Sequence, residues 1–288
     1  MVLVTGANGQ LGRCFQALAY QFPDISFHFA DSKALDITNT KDVERFFEQH
    51  EIHWCINCAA YTAVDKAESE PDQARKINVT GTKNLAIACA KKGVGLIHIS
   101  TDYVYHNQQN TPFIETDPVS PKGVYAMTKL KGEQAAMKAH PTTMVIRTSW
   151  VYAKHGHNFV NTMLRLGADR SELSVVFDQI GSPTYAPDLA MAIVQIIQKV
   201  DTKEVNHHDL AGIWHYSNEG VTSWYDFAKA IFEIKGMPCQ VRPIESKDFP
   251  TPAKRPPFSV LNKGKIKQSF DIDIPHWRDG LSRCLGGG

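Results

Sequence analysis

The sequence predicts an α/β protein: a doubly wound parallel sheet carrying a smaller, interwoven second lobe. Two observations specify the sheet. Short apolar runs with strand character alternate with helical stretches from the N-terminus to about residue 150, which is the pattern of successive βαβ units. The first run, Val2-Leu3-Val4, enters a glycine-spaced turn that opens directly into a helix. A third observation predicts the lobe: after residue 150 the alternation loosens, yet no repeat or low-complexity linker intervenes. Residues 1–150 with about 185–212 are assigned to the sheet domain, and 151–184 with 213–288 to the lobe.

The bulk properties narrow the function classes. The chain has 288 residues, 43% hydrophobic and 21% charged, with a net charge of +1, which is ordinary globular composition. Such a balance supplies no field for nucleic acid or an anionic membrane surface. No apolar run approaches the roughly 18–20 residues that span a bilayer, and the N-terminus has no basic segment leading an apolar one. Six cysteines lie scattered at 14, 55, 58, 89, 239 and 284. Cys55 and Cys58 have metal-like spacing but no second close pair, and three residues apart on a strand they face opposite sides. They are read as packing thiols, and a reducing cytoplasm follows. The terminal Gly286-Gly287-Gly288 reads as a frayed tail.

Taken in order, the first strand leads into Thr5-Gly6-Ala7-Asn8-Gly9-Gln10-Leu11-Gly12, followed by a helix over Arg13–Tyr20. Glycines 6, 9 and 12 permit a tight turn and let backbone N–H groups and a helix N-terminus approach a pyrophosphate. The spacing is G-x-x-G-x-x-G rather than the standard G-x-G-x-x-G. A strand, such a loop and a helix form a Rossmann-type dinucleotide-binding start. Ile25–Ala30 is the second strand and ends at Asp31, about 20 residues past the loop, where a carboxylate meets an adenosine ribose or simply shapes a turn. Lys33 suits a 2′-phosphate instead, so NADH and NADPH both stay open as cofactor. Leu35-Asp36-Ile37-Thr38 precedes a helix presenting Val43, Phe46 and Phe47 on one face.

Trp54–Ala60 is the next buried strand, and the small residues after it allow the backbone to lie against a cofactor. Ser69-Glu70-Pro71 starts a long helix ending at Gly93. Gly95–Ile99 is a strand ending at Ser100-Thr101-Asp102, which places the Thr101 hydroxyl beyond a strand's carboxyl end, where ligands of such sheets sit. A proline-containing loop then reaches a helix with Tyr125 and Lys129. Positions four apart share a helix face, so an ammonium would stabilise the phenolate and lower its pKa of about 10 toward neutrality. Met144–Val151 is a further strand. Beyond it come a helix over Asn158–Leu166, a strand over Leu173–Phe177, and the turn Gln179-Ile180-Gly181-Ser182-Pro183-Thr184. A helix over Leu189–Val200, a strand over Ile213–Ser217 and a helix capped by Thr222 follow. The chain closes with a strand over Cys239–Ile244, a proline-rich loop at 250–257 and short helices near 263–269 and 275–285.

The glycine loop, Thr101, and Tyr125 with Lys129 some 24 residues later resemble the extended short-chain dehydrogenase/reductase family over essentially the whole chain. Within it, several blocks are similar to the dTDP-4-dehydrorhamnose reductases. These are Ala60-Tyr61-Thr62-Ala63-Val64-Asp65-Lys66-Ala67-Glu68, Arg147-Thr148-Ser149-Trp150-Val151-Tyr152, Asp178-Gln179 with Gly181, Pro183 and Thr184, and Pro250-Thr251-Pro252-Ala253 with Arg255-Pro256. The resemblance implies reduction of the C4 ketone of dTDP-4-dehydro-β-L-rhamnose by NADH or NADPH. Thr101 would hold the ketone oxygen, Tyr125 supply the proton, and Lys129 tune Tyr125 and grip the nicotinamide ribose. Gly9, Gln10 and Leu11 would line the pyrophosphate loop, Asp31, Asp36 and Ile37 flank the adenosine, and Ala60, Tyr61 and Thr62 back the cofactor. Asp102, Trp150 and the turn at Gln179 would meet the sugar nucleotide. Arg255 would reach a diphosphate or form a structural ion pair.

Two departures and two rivals qualify that implication. Some family members bind magnesium between subunits through glutamates, but the matching places here are Cys14 and Pro187-Asp188, so no metal site is expected. A homodimer is allowed without one. His155 and His157 are read as polar loop residues, because no third ligand accompanies them. A 4,6-dehydratase would need an Asp-Glu pair after the central-strand threonine, and Tyr103 stands where the glutamate belongs. A C4-epimerase shares the hydride machinery. A noncatalytic regulatory relative would commonly lose part of the Thr101, Tyr125 and Lys129 set.

Overall fold

A computed structural model describes residues 1–286; Gly287 and Gly288 lie outside the described residues. Its centre is a six-stranded parallel sheet: β1 (Val2–Thr5), β2 (Phe27–Ala30), β3 (Trp54–Asn57), β4 (Gly95–Thr101), β5 (Met144–Thr148) and β6 (Gly212–His215), in spatial order β6-β5-β4-β3-β1-β2. The chain reverses its direction of winding between β1 and β3, and that crevice is where doubly wound sheets take ligands.

Both faces of the sheet are covered, so its strands are apolar on both sides rather than alternating. Val2 and Val4 face one core, shared with the helices Gln10–Leu18 and Ala186–Asp201, while Leu3 between them faces the other. That second core takes Val43, Phe46 and Phe47 from the helix Thr40–Gln49 and Leu85 and Cys89 from the helix Thr82–Lys92. Cys55 belongs to the second core and Cys58 packs against the first, the opposite facing that strand geometry dictates.

Several segments depart from the sequence reading. The long helix after Glu70 is three pieces: Pro71–Arg75, a π-helical stretch Lys76–Gly81, and Thr82–Lys92. The extra residue per turn brings Asn78 inward, where its side chain binds both the N–H and the C=O of Tyr61. The strand after Thr143 stops at Thr148, because Trp150 adopts a left-handed backbone with φ 49° and turns the chain out of the sheet. Gly212–His215 pairs in parallel with β5, so this segment is the edge of the sheet and not part of the lobe. With only four residues it carries too little periodicity to reveal its partner. The cap of the helix Trp224–Lys235 is Ser223, whose hydroxyl accepts the Asp226 N–H at 3.0 Å; Thr222 instead pairs with Gly181. Gly286 caps the last helix in the left-handed conformation.

The lobe is small sheets braced by helices. Glu172–Val176 pairs with Gln240–Ile244, Ile180–Gly181 with Thr222–Ser223, and Val151–Tyr152 with Thr184–Tyr185. Phe227, Ile231, Trp277 and Leu281 build its core. Asp188 of the sheet-packing helix holds Arg283 of the lobe in a two-pronged ion pair of 2.7 and 2.8 Å and also accepts from Asn218.

Candidate active site

Thr101 and Asp102 stand at the carboxyl end of β4, beside β5 with Thr101 opposite Thr148; Tyr125 reaches Thr101 from the helix Gly123–Ala139, Lys129 follows one turn later on that helix, and Trp150 lies just past the end of β5. The Thr101 hydroxyl donates to the Asp102 carboxylate at 3.1 Å and accepts the Tyr103 N–H at 3.2 Å, and it lies close enough to the Tyr125 phenol to favour its phenolate. The ring of Tyr103 meets that of Tyr125 edge to face at 5.5 Å.

Burial dominates the ionisation of this cluster. It pushes Tyr125 up to about 12, against the pull of Thr101, and drives Lys129 down to about 8. The expected lowering of the Tyr125 pKa by Lys129 is thus not found in the free protein. The ammonium of Lys129 points to the Ile99 carbonyl at 2.7 Å, and desolvation of the phenol outweighs any attraction. Asp102 is also buried, and its Oδ2 has no hydrogen-bond partner among the described residues; burial raises its pKa to about 7 despite the hydrogen bond from Thr101 and the opposing pull of Ser259.

A second region lies at the β1/β3 crevice, a cavity of about 540 Å³ lined by Gly6, Gly9, Asp31, Asp36, Ile37 and Ala60, among others. Close backbone approach explains the glycines. A Cβ at Gly12 would sit 2.4 Å from the Gly6 carbonyl oxygen, and Gly6 itself has φ 65° and abuts Ala59. Asp31 Oδ1 accepts the N–H groups of Lys33 and Ala34 at 3.0 Å and Oδ2 accepts Asn8 Nδ2 at 2.8 Å, which holds its carboxyl below the usual range. Asp36 caps Thr38 in the same way. A groove closed by glycine backbones, with fixed carboxylates at one end, fits a dinucleotide.

Not every proposed cofactor residue faces that cavity. Leu11 buries its side chain in the core, leaving only backbone for a ligand. Gln10 accepts Asn158 Nδ2 at 2.8 Å and so ties the loop to the lobe. Tyr61 donates to Glu70 at 2.7 Å, and Thr62 is exposed outside the lining.

Gln179 and Arg255 line a separate opening of about 350 Å³ with His106, Asp178, Lys254 and others. Arg255 there is paired: its guanidinium forks onto Asp65 at 2.7 and 3.1 Å, the ion pair that the sequence leaves open beside a diphosphate-binding role. Gln179 donates to Ser246 at 2.9 Å. Trp150 stacks on Trp224, with ring centres 3.5 Å apart. His155 and His157 are exposed, and no group of three or more His, Cys, Asp or Glu side chains gathers for a metal among the described residues.

Asn78 and Glu133 escape the sequence reading, and Trp224 is legible there only as an apolar residue of its helix. The only trace of Glu133 there is its position four residues after Lys129, one turn along the same face.

Comparison with known proteins agrees with this architecture. The model of the RmlD substrate binding domain matches residues 1–287. A dTDP-4-dehydrorhamnose reductase from Aggregatibacter actinomycetemcomitans is 39% identical over 97% of this chain and 96% of its own. The crystal structure of one from Clostridium acetobutylicum superposes with a TM-score of 0.91 at 40% identity, covering 99% of this chain and 98% of that one. A Bacillus anthracis enzyme of the same name, solved in complex with NADP, gives 0.92 at 39% identity over 100% of this chain and 99% of that one. With a central parallel sheet, a glycine-lined crevice and full-length similarity of this degree, the chain belongs to the dTDP-4-dehydrorhamnose reductase family.

Proposed function

We propose that Thr101, Tyr125 and Lys129 carry the reduction of the C4 ketone of dTDP-4-dehydro-β-L-rhamnose to dTDP-L-rhamnose, with NADH or NADPH as reductant. The observation that supports this reading most is the contact of Thr101 with Tyr125 at the carboxyl end of β4, beside a buried Lys129. The nicotinamide cofactor, when bound, supplies the hydride that the ketone carbon receives. Thr101 then offers its hydroxyl to the oxygen on which charge develops, and Tyr125 gives that oxygen its proton, becoming a phenolate. A phenol with a raised pKa is a weak acid toward water but an adequate donor to an alkoxide. Lys129 stands beside it to offset the phenolate charge and to bond the ribose of the cofactor.

Gly6, Gly9 and Gly12 serve the pyrophosphate, Asp31, Asp36 and Ile37 the adenosine end, and Ala60 the wall between. Asp102, with an unpaired carboxylate oxygen, and Trp150 take the sugar nucleotide. No helix among the described residues is long and apolar enough to cross a membrane, and six free thiols suit the reducing cytoplasm we assign. The deciding experiment is oxidation of NADH or NADPH by the folded protein with the 4-keto dTDP-sugar. No turnover with either cofactor overturns the proposal; interconversion of a C4 epimer pair without net cofactor consumption would favour the epimerase instead.

A further inference from the structure

Behind the Thr101–Tyr125–Lys129 cluster runs a chain of buried charge. Glu133 is fully buried on the helix Gly123–Ala139, one turn beyond Lys129. Its carboxylate accepts Arg147 Nε at 3.1 Å and Nη2 at 2.7 Å, a bidentate fork, and Ser100 Oγ donates to the same carboxylate. Arg147 Nη1 donates to Tyr105 Oη at 2.6 Å, and that hydroxyl meets His215 Nε2 at 2.8 Å. The other nitrogen of His215 faces the Phe113 carbonyl at 3.1 Å.

Each partner adjoins the site. Ser100 immediately precedes Thr101, Arg147 lies opposite Ser100 on β5, and Tyr105 follows the turn that begins at Asp102. Tyr125 and Glu133 stand one turn before and after Lys129 on its own helix, and Cys58 beyond β3 and His98 of β4 lie near it. Burial raises the Cys58 thiol and lowers His98, leaving both neutral near pH 7. Among these groups Glu133 is the carboxylate, and it opposes the effect of burial on Lys129. A buried ion pair adds little stability over apolar packing of the same volume, so stability alone is a poor reason for this one.

We propose that Glu133, clamped by Arg147 and Ser100, is a positioning residue: the negative end of the Glu133–Arg147 pair, fixed one helical turn from Lys129, keeps that lysine an ammonium during turnover. The inference rests on the reading of Lys129 above. Its test is the pH profile of kcat, at saturating cofactor and sugar nucleotide, for wild type, Glu133→Gln and the double variant Glu133→Gln/Arg147→Met. Because Glu133→Gln strands a buried guanidinium, the double variant, which removes both charges, serves if the single one does not fold.

The alkaline limb should move to lower pH by about one unit in Glu133→Gln, a roughly tenfold drop at a pH above both limbs. In the double variant, which removes both ends of the ion pair, it should move the same way by less. A folded variant whose kcat falls by one factor at every pH, with the limb unmoved, shows a purely structural role and overturns the proposal. Failure of the underlying reading looks different: Lys129→Met would then turn over like wild type.

Discussion

Replacing Lys129 by methionine separates stability from activity at the same atom. The side chain is 2% exposed, and burial lowers its pKa from 10.5 to about 8. A shift of that size is about 3 kcal/mol of disfavour for the charged form in the folded state. Methionine keeps the apolar stem but forfeits the 2.7 Å bond to the Ile99 carbonyl, worth about 1 kcal/mol. The net expectation is a gain of about 2 kcal/mol at pH 7, which for a chain of this size raises Tm by about 3 °C, while kcat falls by about 10² or more.

The sign with pH is fixed by linkage. Below about pH 8 lysine is protonated in both states and the full penalty applies. Between about 8 and 10.5 the folded protein sheds the proton first, so wild-type stability gains on the variant as pH rises. Above both values the penalty is gone. Thermal unfolding of the two proteins from pH 6 to 10.5 checks this, because other titrating groups cancel in the difference. A variant that melts below wild type at pH 7, or a difference that does not shrink with rising pH, refutes the assignment of Lys129 as a strained buried cation.

Further expectations follow from the same geometry. Tyr125→Phe should lose about 10²–10⁴-fold in kcat while its affinity for NADH or NADPH, read by fluorescence titration, stays near wild type. Asp31→Ala removes a fixed carboxylate from the crevice and should shift the kcat/KM ratio toward NADPH by about tenfold, measured with both cofactors side by side. Gly12→Ala places a methyl against the Gly6 carbonyl and should weaken dinucleotide binding by at least about tenfold or abolish folding, read by titration and circular dichroism. Trp224→Leu removes the platform under Trp150 and should raise KM for the sugar nucleotide by about tenfold with KM for cofactor unchanged.

How much of this was legible in the sequence depends on the range of the interactions involved. The glycine loop, the strand ends at Thr101 and Asp31, and the Tyr125–Lys129 pair are encoded within a few residues, and the structure sets them where strand and helix periodicity implies. Resemblance added Trp150, Asp102 and the turn at Gln179, which periodicity alone would leave as ordinary loop residues. Interactions across large sequence separations stayed hidden. The Arg255–Asp65 pair joins residues 190 apart, and Gly212–His215 reaches its place in the sheet through β5. The ionisation of Tyr125 is hidden for the same reason: the burial that raises it comes from the whole fold, whereas the helix spacing that suggests lowering is local.

The left-handed backbone of Trp150 carries a consequence for how this sequence can vary. The indole lies against Trp224, and a Cβ at Gly181 would come within 2.6 Å of its ring. Three positions from three distant segments, 150, 181 and 224, therefore share one space. A larger residue at 181 is tolerable only with a smaller ring at 150, and a smaller ring at 150 leaves 224 with nothing to stack on. Drift at any one of them is blocked unless the others change with it, so the three should be inherited as a unit.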